Sequence, residues 1–252
     1  CKVYMGSDGQ ELVNLDKFFF QNLPISLTKL ECHLVCTSRE GINKNNFQQI
    51  WSDLAKYELL KEFRLTILNK EWGFRMSQQG INPYPLIKGD EHVRLPSIEY
   101  FHITSMICHL DYDSIFSMLD KEKLKGLHID SDTYLEGVDA KSLFAKLKDF
   151  TNLRYLYLEW IPVLEIDQSA HKRIRNCLLK LRYLQYLRLI LQITKCVDPI
   201  IISTQLMEIL RRKRKLKAAK ITTLEWSWKW YHGVPLEIQF EREDKKRESN
   251  NL

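Results

Sequence analysis

Residues 151–160 read TNLRYLYLEW, and the leucines in this stretch follow the spacing L-x-x-L-x-L at Leu153, Leu156 and Leu158. Tyrosine and glutamate stand between the leucines, and this alternation is typical of a β-strand with one buried face. Directly before it, residues 139–150 (DAKSLFAKLKDF) carry apolar side chains three and four positions apart. That spacing predicts an amphipathic helix. The stretch therefore predicts a helix followed by a half-buried strand.

The same unit recurs about every 30 residues along the chain. Aligned on the apolar residue that opens each strand, the copies begin at Leu27, Leu60, Ile98, Leu124, Leu153, Leu184 and Leu216. A helix–strand unit of this size cannot bury its apolar face alone, so neighbouring units have to stack. A constant order of helix and strand makes the strands parallel. We expect the helices to cover one face of the sheet and to leave the other face open.

Apolar residues at helical spacing precede six of these seven strands. They are Leu12, Leu15 and Phe19; Phe47, Ile50 and Leu54; Ile115, Met118 and Leu119; Leu143, Leu147 and Phe150; Ile174, Leu178 and Leu181; and Leu206, Ile209 and Leu210. Asp113, Asp139 and Ser203 are the expected N-caps, because short polar side chains accept hydrogen bonds from the free N–H groups of a first turn.

Two segments depart from the repeat. Residues 69–94 have no helical face and contain three glycines and two prolines, which predicts an inserted loop in place of a helix. Such a loop is either functional or a tolerated surface insertion. Residues 223–240 contain alternating tryptophans and the strand-like LEIQF, which predicts a hairpin that caps the repeats of residues 1–222. The polar residues 241–252 are expected to form a frayed tail.

These repeats resemble the long leucine-rich repeats of the ribonuclease-inhibitor-like or F-box-associated type, most closely at residues 147–158 and 178–189. The resemblance implies an α/β solenoid with parallel strands on a concave face and helices on a convex face. It also implies a non-catalytic recognition domain of a larger protein, such as a ubiquitin-ligase substrate receptor or an immune-type sensor. The chain departs from the family where Asn or Cys is usual after the strand, since Ile161 and Gln192 stand there in its best copies.

Alternation along the strands predicts which side chains lie on the open face. The residues expected to bind a partner there are Arg64, Tyr100, His102, His128, Tyr155, Tyr157, Glu159, Tyr186, Arg188 and Lys220. Tyrosine and arginine are enriched where protein interfaces concentrate their binding energy. The alternative interpretation is a solvated sheet face whose aromatic rings pack on one another.

The charge of the chain permits several kinds of partner. Its 252 residues include 38 basic and 32 acidic side chains, so the net charge of +6 does not require nucleic acid. The basic run RRKRKLK at residues 211–217 is the basis of an alternative, a nucleic-acid-binding module. The run also lies where a predicted helix ends, and cations stabilise that end of a helix. We therefore expect a protein partner and disfavour nucleic acid.

The sequence contains none of the motifs that indicate catalysis or metal binding. No glycine-rich phosphate loop, G-x-S-x-G or H-E-x-x-H occurs, so we expect neither an enzyme nor a cofactor. Cys32, His33 and Cys36 lack a second pair at zinc spacing, so no metal is expected. Six cysteines are too few for a disulfide scaffold, and no apolar run is long enough to span a membrane. We expect an intracellular protein, cytoplasmic or nuclear, and a chain that is one piece of a larger protein because it begins at Cys1.

Overall fold

The computed structural model describes residues 2–6, 23–36, 44–69, 86–105, 109–131, 140–163, 168–193, 199–225 and 236–241. Its strands are β1 (Lys2–Gly6), β2 (Lys29–Cys36), β3 (Glu62–Asn69), β4 (Leu86–Ile87), β5 (Tyr100–Ser105), β6 (His109–Leu110), β7 (Gly126–Ser131), β8 (Tyr155–Val163), β9 (Tyr186–Ile193), β10 (Ala218–Glu225) and β11 (Leu236–Glu241). Its helices are α1 (Lys44–Leu54), α2 (Tyr112–Met118), α3 (Ala140–Leu147), α4 (Gln168–Lys180) and α5 (Pro199–Arg211).

Nine of these strands form one sheet in the order β1-β2-β3-β5-β7-β8-β9-β10-β11. Neighbours from β1 to β10 pair in parallel, and Leu127, Leu156 and Leu187 lie at the same level of successive strands. The strand β11 pairs with β10 in the antiparallel direction. The predicted α/β class with a largely parallel sheet is confirmed. Successive units lie side by side, an arrangement compatible with a solenoid.

The apolar side of the sheet and the helices share one core. The residues that open the second to seventh predicted strands are fully buried, and Leu27 is partly buried against the same core. Apolar residues of all five helices belong to this cluster, together with the inward side chains of the strands. The helices therefore cover one face of the sheet, and the polar residues of the strands occupy the other face.

A repeated backbone contact aligns the strands. The carbonyl of Thr28 accepts hydrogen bonds from the N–H groups of Lys61 and Glu62, at 2.9 and 3.1 Å. The same double acceptance recurs at the carbonyls of Lys61, Glu99, Lys125, Arg154 and Gln185. Because each carbonyl binds both N–H groups at the start of the next strand, all seven strands from β2 to β10 in the large sheet begin at one level. Equivalent side chains consequently form straight rows across the sheet.

Two helices begin at residues other than the predicted N-caps. The N-cap of α2 is Asp111, whose side chain accepts from the N–H of Ser114, so the prediction of Asp113 was wrong. Helix α5 begins at Pro199, which suits a first helical position because that position needs no N–H donor. Ser203 is consequently buried inside α5 and is not a cap. Asp139 and the predicted helix containing Leu12, Leu15 and Phe19 lie outside the described residues.

The end of the predicted inserted loop contains a short strand and no helix. Strand β4, at residues 86 and 87, pairs in parallel with β6. The indole N–H of the fully buried Trp51 donates to the carbonyl of Lys88 at 2.8 Å. A Cβ atom on Gly89 would lie 2.4 Å from the carbonyl oxygen of Ser114, so only glycine fits there. This segment packs between α1 and α2, while residues 70–85 lie outside the described part.

The two ends of the sheet also differ from the expectation in detail. Strand β1 was not predicted, because KVYMG is short and has no leucine at the spacing that marks the other strands. At the other end, β11 pairs with β10, so the last parallel strand is itself one arm of the antiparallel pair. The alternating tryptophans Trp226, Trp228 and Trp230, and the predicted tail from residue 242 onward, lie outside the described residues.

Replacing Leu156 tests whether the buried leucine row carries stability. The side chain is fully buried in the middle of the sheet, so we expect Leu156→Ala to lower the free energy of unfolding by about 2–5 kcal/mol. The exposed neighbour Arg154 is the control, and we expect Arg154→Ala to change stability by less than about 0.5 kcal/mol. Urea denaturation followed by circular dichroism measures both. Equal effects of the two substitutions would contradict the assignment of the core.

Candidate functional site

The polar side of the parallel sheet, called the open face here, carries three rows of side chains. The first row contains Lys29, Glu62, Tyr100, Gly126, Tyr155 and Tyr186; the second contains Glu31, Arg64, His102, His128, Tyr157, Arg188 and Lys220; the third contains His33, Thr66, Thr104, Asp130 and Glu159. All ten side chains predicted for the binding surface lie in these rows. The structure therefore brings together residues from six strands that are distant in sequence.

The tyrosines of the first row form a continuous aromatic ladder. The rings of Tyr155 and Tyr186 stack with centroids 5.2 Å apart and planes inclined by 3°. Tyr100 lies 6.2 Å from Tyr155, although β7 runs between their strands. This contact depends on Gly126 in β7, since a Cβ atom there would lie 2.5 Å from Cδ1 of Tyr100. Sequence reasoning missed Gly126, although a glycine inside a strand often marks such a close approach.

The second row has a stacked pair of histidines at its centre. The rings of His102 and His128 lie 3.9 Å apart, and His128 lies 5.7 Å from Tyr157. Nε2 of His102 and Oγ1 of Thr104 are hydrogen-bonded at 2.9 Å. Burial, followed by the charges of neighbouring groups, lowers the pKa of His102 to about 3 and the pKa of His128 to about 4. Both rings are therefore neutral at pH 7 and can stack.

Ion pairs stand on both sides of the aromatic centre. They join Arg64 to Glu31 at 3.5 Å, Arg188 to Glu159 at 3.1 Å, Lys29 to Glu62 at 2.7 Å and Lys220 to Glu237 at 2.6 Å. Glu159 lies in a bulge, where Glu159 and Trp160 of β8 stand opposite the single residue Ile190 of β9. The open face thus has an aromatic centre between charged margins.

A groove of about 310 Å³ runs between the first and second rows. Tyr100 and Tyr155 line one side, while His102, His128 and Tyr157 line the other. Glu62 and Arg64 also line it, on the strand next to β5. Phe101 and Leu127 contribute to the lining although their side chains are buried in the core, so their backbone forms the floor. Six predicted binding residues therefore surround one concave site.

The basic run takes part in packing between neighbouring units. Nζ of Lys213 donates to the carbonyl of Leu181 at 2.8 Å, and burial lowers the pKa of this lysine. Nζ of Lys215 lies 3.9 Å from the ring centroid of Tyr183. Leu216 is fully buried. Two of the cations that suggested a nucleic-acid site therefore make contacts within the fold.

Cys32, one of the residues considered as a metal ligand, belongs to the buried core. Cys32 and Cys177 are buried, and burial raises the pKa of each thiol to about 12. Cys108 lies outside the described residues. Within the described ranges, no three side chains of His, Cys, Asp or Glu come together in a way that could hold a metal ion.

No protein-family model matches the sequence, and no curated protein matches it either. In the part of the chain that the structure describes, no helix combines the length and apolar character needed to cross a membrane. The function therefore has to be argued from the chemistry of the open face.

The neutral histidines predict that stability depends on pH. Their folded pKa values lie below the ordinary 6.5, so the unfolded chain binds more protons and the folded state loses stability as pH falls from about 6.5 towards 4. We expect the urea midpoint to be lower at pH 5.5 than at pH 7.5, a range in which most carboxylates stay ionised. His102→Gln combined with His128→Gln should reduce this difference by more than half. An unchanged difference in the double variant would contradict the burial of the two rings.

Because Lys213 packs within the fold and Arg212 does not, substitutions at these two positions of the basic run should change the free energy of unfolding by different amounts. Lys213→Met removes a charged donor from a carbonyl at the end of α4, and we expect a loss of roughly 1 kcal/mol in the free energy of unfolding. The exposed Arg212 is the matched control, and Arg212→Met should change stability by less than about 0.5 kcal/mol. Thermal and urea unfolding of both variants check this, and equal stabilities would argue against a structural role for Lys213.

Proposed function

We propose that the open face recognises a protein partner and that the chain is a non-catalytic domain of the leucine-rich-repeat type. The observation that carries the proposal is the set of six aromatic rings in two adjoining rows, with an arginine–glutamate pair on each side. Protein interfaces concentrate their binding energy in aromatic and arginine side chains at the centre of a patch, with polar groups around it. The open face has this distribution.

The charge of the open face favours a protein over a nucleic acid. The three rows contain four basic residues and four acidic residues, setting histidines aside: Lys29, Arg64, Arg188 and Lys220, and Glu31, Glu62, Asp130 and Glu159. The whole chain, by contrast, carries a net charge of +6. A polyanion would therefore release few counterions on this surface, and most of its affinity would be missing. An uncharged aromatic surface with balanced margins suits a folded protein.

The repeated architecture supports the family and the setting that we propose. Repeat domains are built from units that stack on their neighbours. Here the parallel strands are aligned by the same double acceptance at successive carbonyls, and six of the seven predicted strands open on a fully buried apolar residue. Seven strands at about 4.8 Å give a surface about 29 Å long, enough for a macromolecule. As part of the proposal, the domain belongs to a larger intracellular protein, such as a ubiquitin-ligase substrate receptor or an immune-type sensor. The free thiols of Cys32 and Cys177 agree with a reducing compartment.

The proposal is tested by removing the tyrosines of the open face. The variant combines Tyr155→Ser, Tyr157→Ser and Tyr186→Ser, and the control is Tyr183→Ser, a tyrosine that is 43% exposed and outside the three rows. After crosslinking in cell extract and mass spectrometry, we expect proteins captured by the unchanged chain and by the control to be lost from the triple variant. The physical reason is that the variant removes half of the aromatic rings of the open face.

Two further measurements make the result decisive. Circular dichroism and thermal unfolding show that the triple variant is folded, which is necessary because each ring contact contributes up to about 1.5 kcal/mol. Nuclease treatment of the extract distinguishes a protein from a nucleic acid. Equal capture by a folded triple variant, or capture that disappears with nuclease, would overturn the proposed function.

A further inference from the structure

The groove between the two aromatic rows contains polar nitrogens without partners. Nε of Arg64 and Nε2 of His128 are buried and have no hydrogen-bond partner among the described residues, and both side chains line the groove. An arginine Nε–H can only donate, and a buried donor without an acceptor costs about 1–3 kcal/mol. The third such atom in the described residues is Nε of Arg188, in the same row. All three are nitrogens of the second row, so the acceptors already present there do not satisfy these atoms.

The acceptors nearest to these nitrogens are poorly placed. Oε1 of Glu31 is bonded to a different nitrogen of Arg64, Nη1, at 3.5 Å. Oε1 of Glu159 lies 3.8 Å from Nε2 of His128, too far for a hydrogen bond. The same oxygen lies 3.1 Å from Nε of Arg188 and forms an ion pair without hydrogen-bond geometry. The carboxylate of Glu62, which also lines the groove, is held by Lys29.

The electrostatic environment of the groove favours a negative ligand. The groups that face His128 are Arg64 on β3, His102 on β5, Asp130 on β7, Tyr157 and Glu159 on β8, and Arg188 on β9. After burial, the charges that lower the pKa of His128 are those of the two arginines. The charges that act on the ring in this way are both positive, and an anionic group is favoured beside them.

We propose that this groove receives an acidic side chain, Asp or Glu, of a protein partner. The inference rests on the proposed function, because it assumes that the open face receives a protein. The carboxylate oxygens accept from Nε of Arg64 and from Nε2 of His128, the two groove nitrogens that have no partner among the described residues. The rings of Tyr100 and Tyr155 shield the contact from water, which strengthens an ionic hydrogen bond.

Binding of a carboxylate in this position is coupled to a proton. A negative charge beside His128 stabilises the imidazolium, so the pKa of His128 is higher in the complex than its free value of about 4. The complex then binds more protons than the free domain, and affinity rises as pH falls from 7.5 to 5.5, by at most tenfold per pH unit for one proton. A glutamate side chain remains largely ionised at pH 5.5, so the ligand itself does not change.

The test uses isosteric amino-acid amides as probes on the full chain. N-acetyl-glutamate N-methylamide is titrated against its glutamine and lysine analogues at pH 7.5 and 5.5, with dissociation constants taken from the amide signal of Gly126. We expect the glutamate compound to bind roughly tenfold more tightly than the other two, and roughly threefold or more tightly at pH 5.5 than at 7.5. His128→Gln should retain binding at pH 7.5 and lose the pH dependence.

Arginine variants separate this contact from general effects of charge. Arg64→Gln should weaken binding of the glutamate compound at both pH values, whereas Arg64→Lys keeps the charge and tests the need for the guanidinium geometry. The control Arg154→Gln removes one positive charge from an exposed position outside the rows and should bind as the unchanged chain does. Circular dichroism verifies that each variant is folded.

Several outcomes would overturn the inference: equal binding of the glutamine compound, tighter binding of the lysine compound, no shift of the Gly126 signal, or an unchanged affinity in Arg64→Gln. Each of these leaves the proposed function intact if the triple tyrosine variant still loses its partner. If the triple variant captures partners normally, the proposed function fails instead.

Discussion

One backbone contact underlies the whole arrangement, the carbonyl between successive units that accepts two N–H groups from the next strand. Since a single oxygen holds both donors at the entry to a strand, neighbouring strands cannot slide relative to one another. A slip of one residue would move every leucine to the polar side, because side chains alternate along a strand. Such a slip would also expose the buried leucines to water, which adds an energetic penalty. Register is therefore specified twice, by hydrogen bonds and by burial.

The chemistry of the open face follows from that register. Residues at equal levels of adjacent strands lie close enough for their rings to touch, so tyrosines stack with tyrosines and histidines with histidines. Close packing partly buries His102 and His128, and the resulting desolvation keeps both rings uncharged at pH 7. Two charged imidazoles could not remain stacked between Arg64 and Arg188. The aromatic centre and its charged margins are thus parts of one electrostatic arrangement.

The features that give this face its individual shape are departures from the repeat. Gly126 has no side chain where the neighbouring strands carry tyrosine, so Tyr100 leans across β7 and the groove remains open beside it. The bulge after Leu158 sets Glu159 against Arg188. On the opposite side of the sheet, residues 86–94 replace a helix, with the indole of Trp51 bonded to Lys88. A sheet built from identical repeats would have a uniform open face without a distinct groove.

Local spacing alone determined the seven parallel strands from β2 to β10 of the large sheet, the five described helices, the α/β class and the membership of the open face, because alternation and helical periodicity are properties of neighbouring residues. Tertiary structure decided the rest. Strand β1, the N-cap Asp111 and the start of α5 at Pro199 were not predicted, because the local sequence allows more than one strand or helix boundary at each of these places. The contact of Tyr100 with Tyr155, the stacked histidines and the arginine–glutamate pairs join side chains from different strands. Their contacts depend on strand order and rotamer, which no single stretch of sequence encodes.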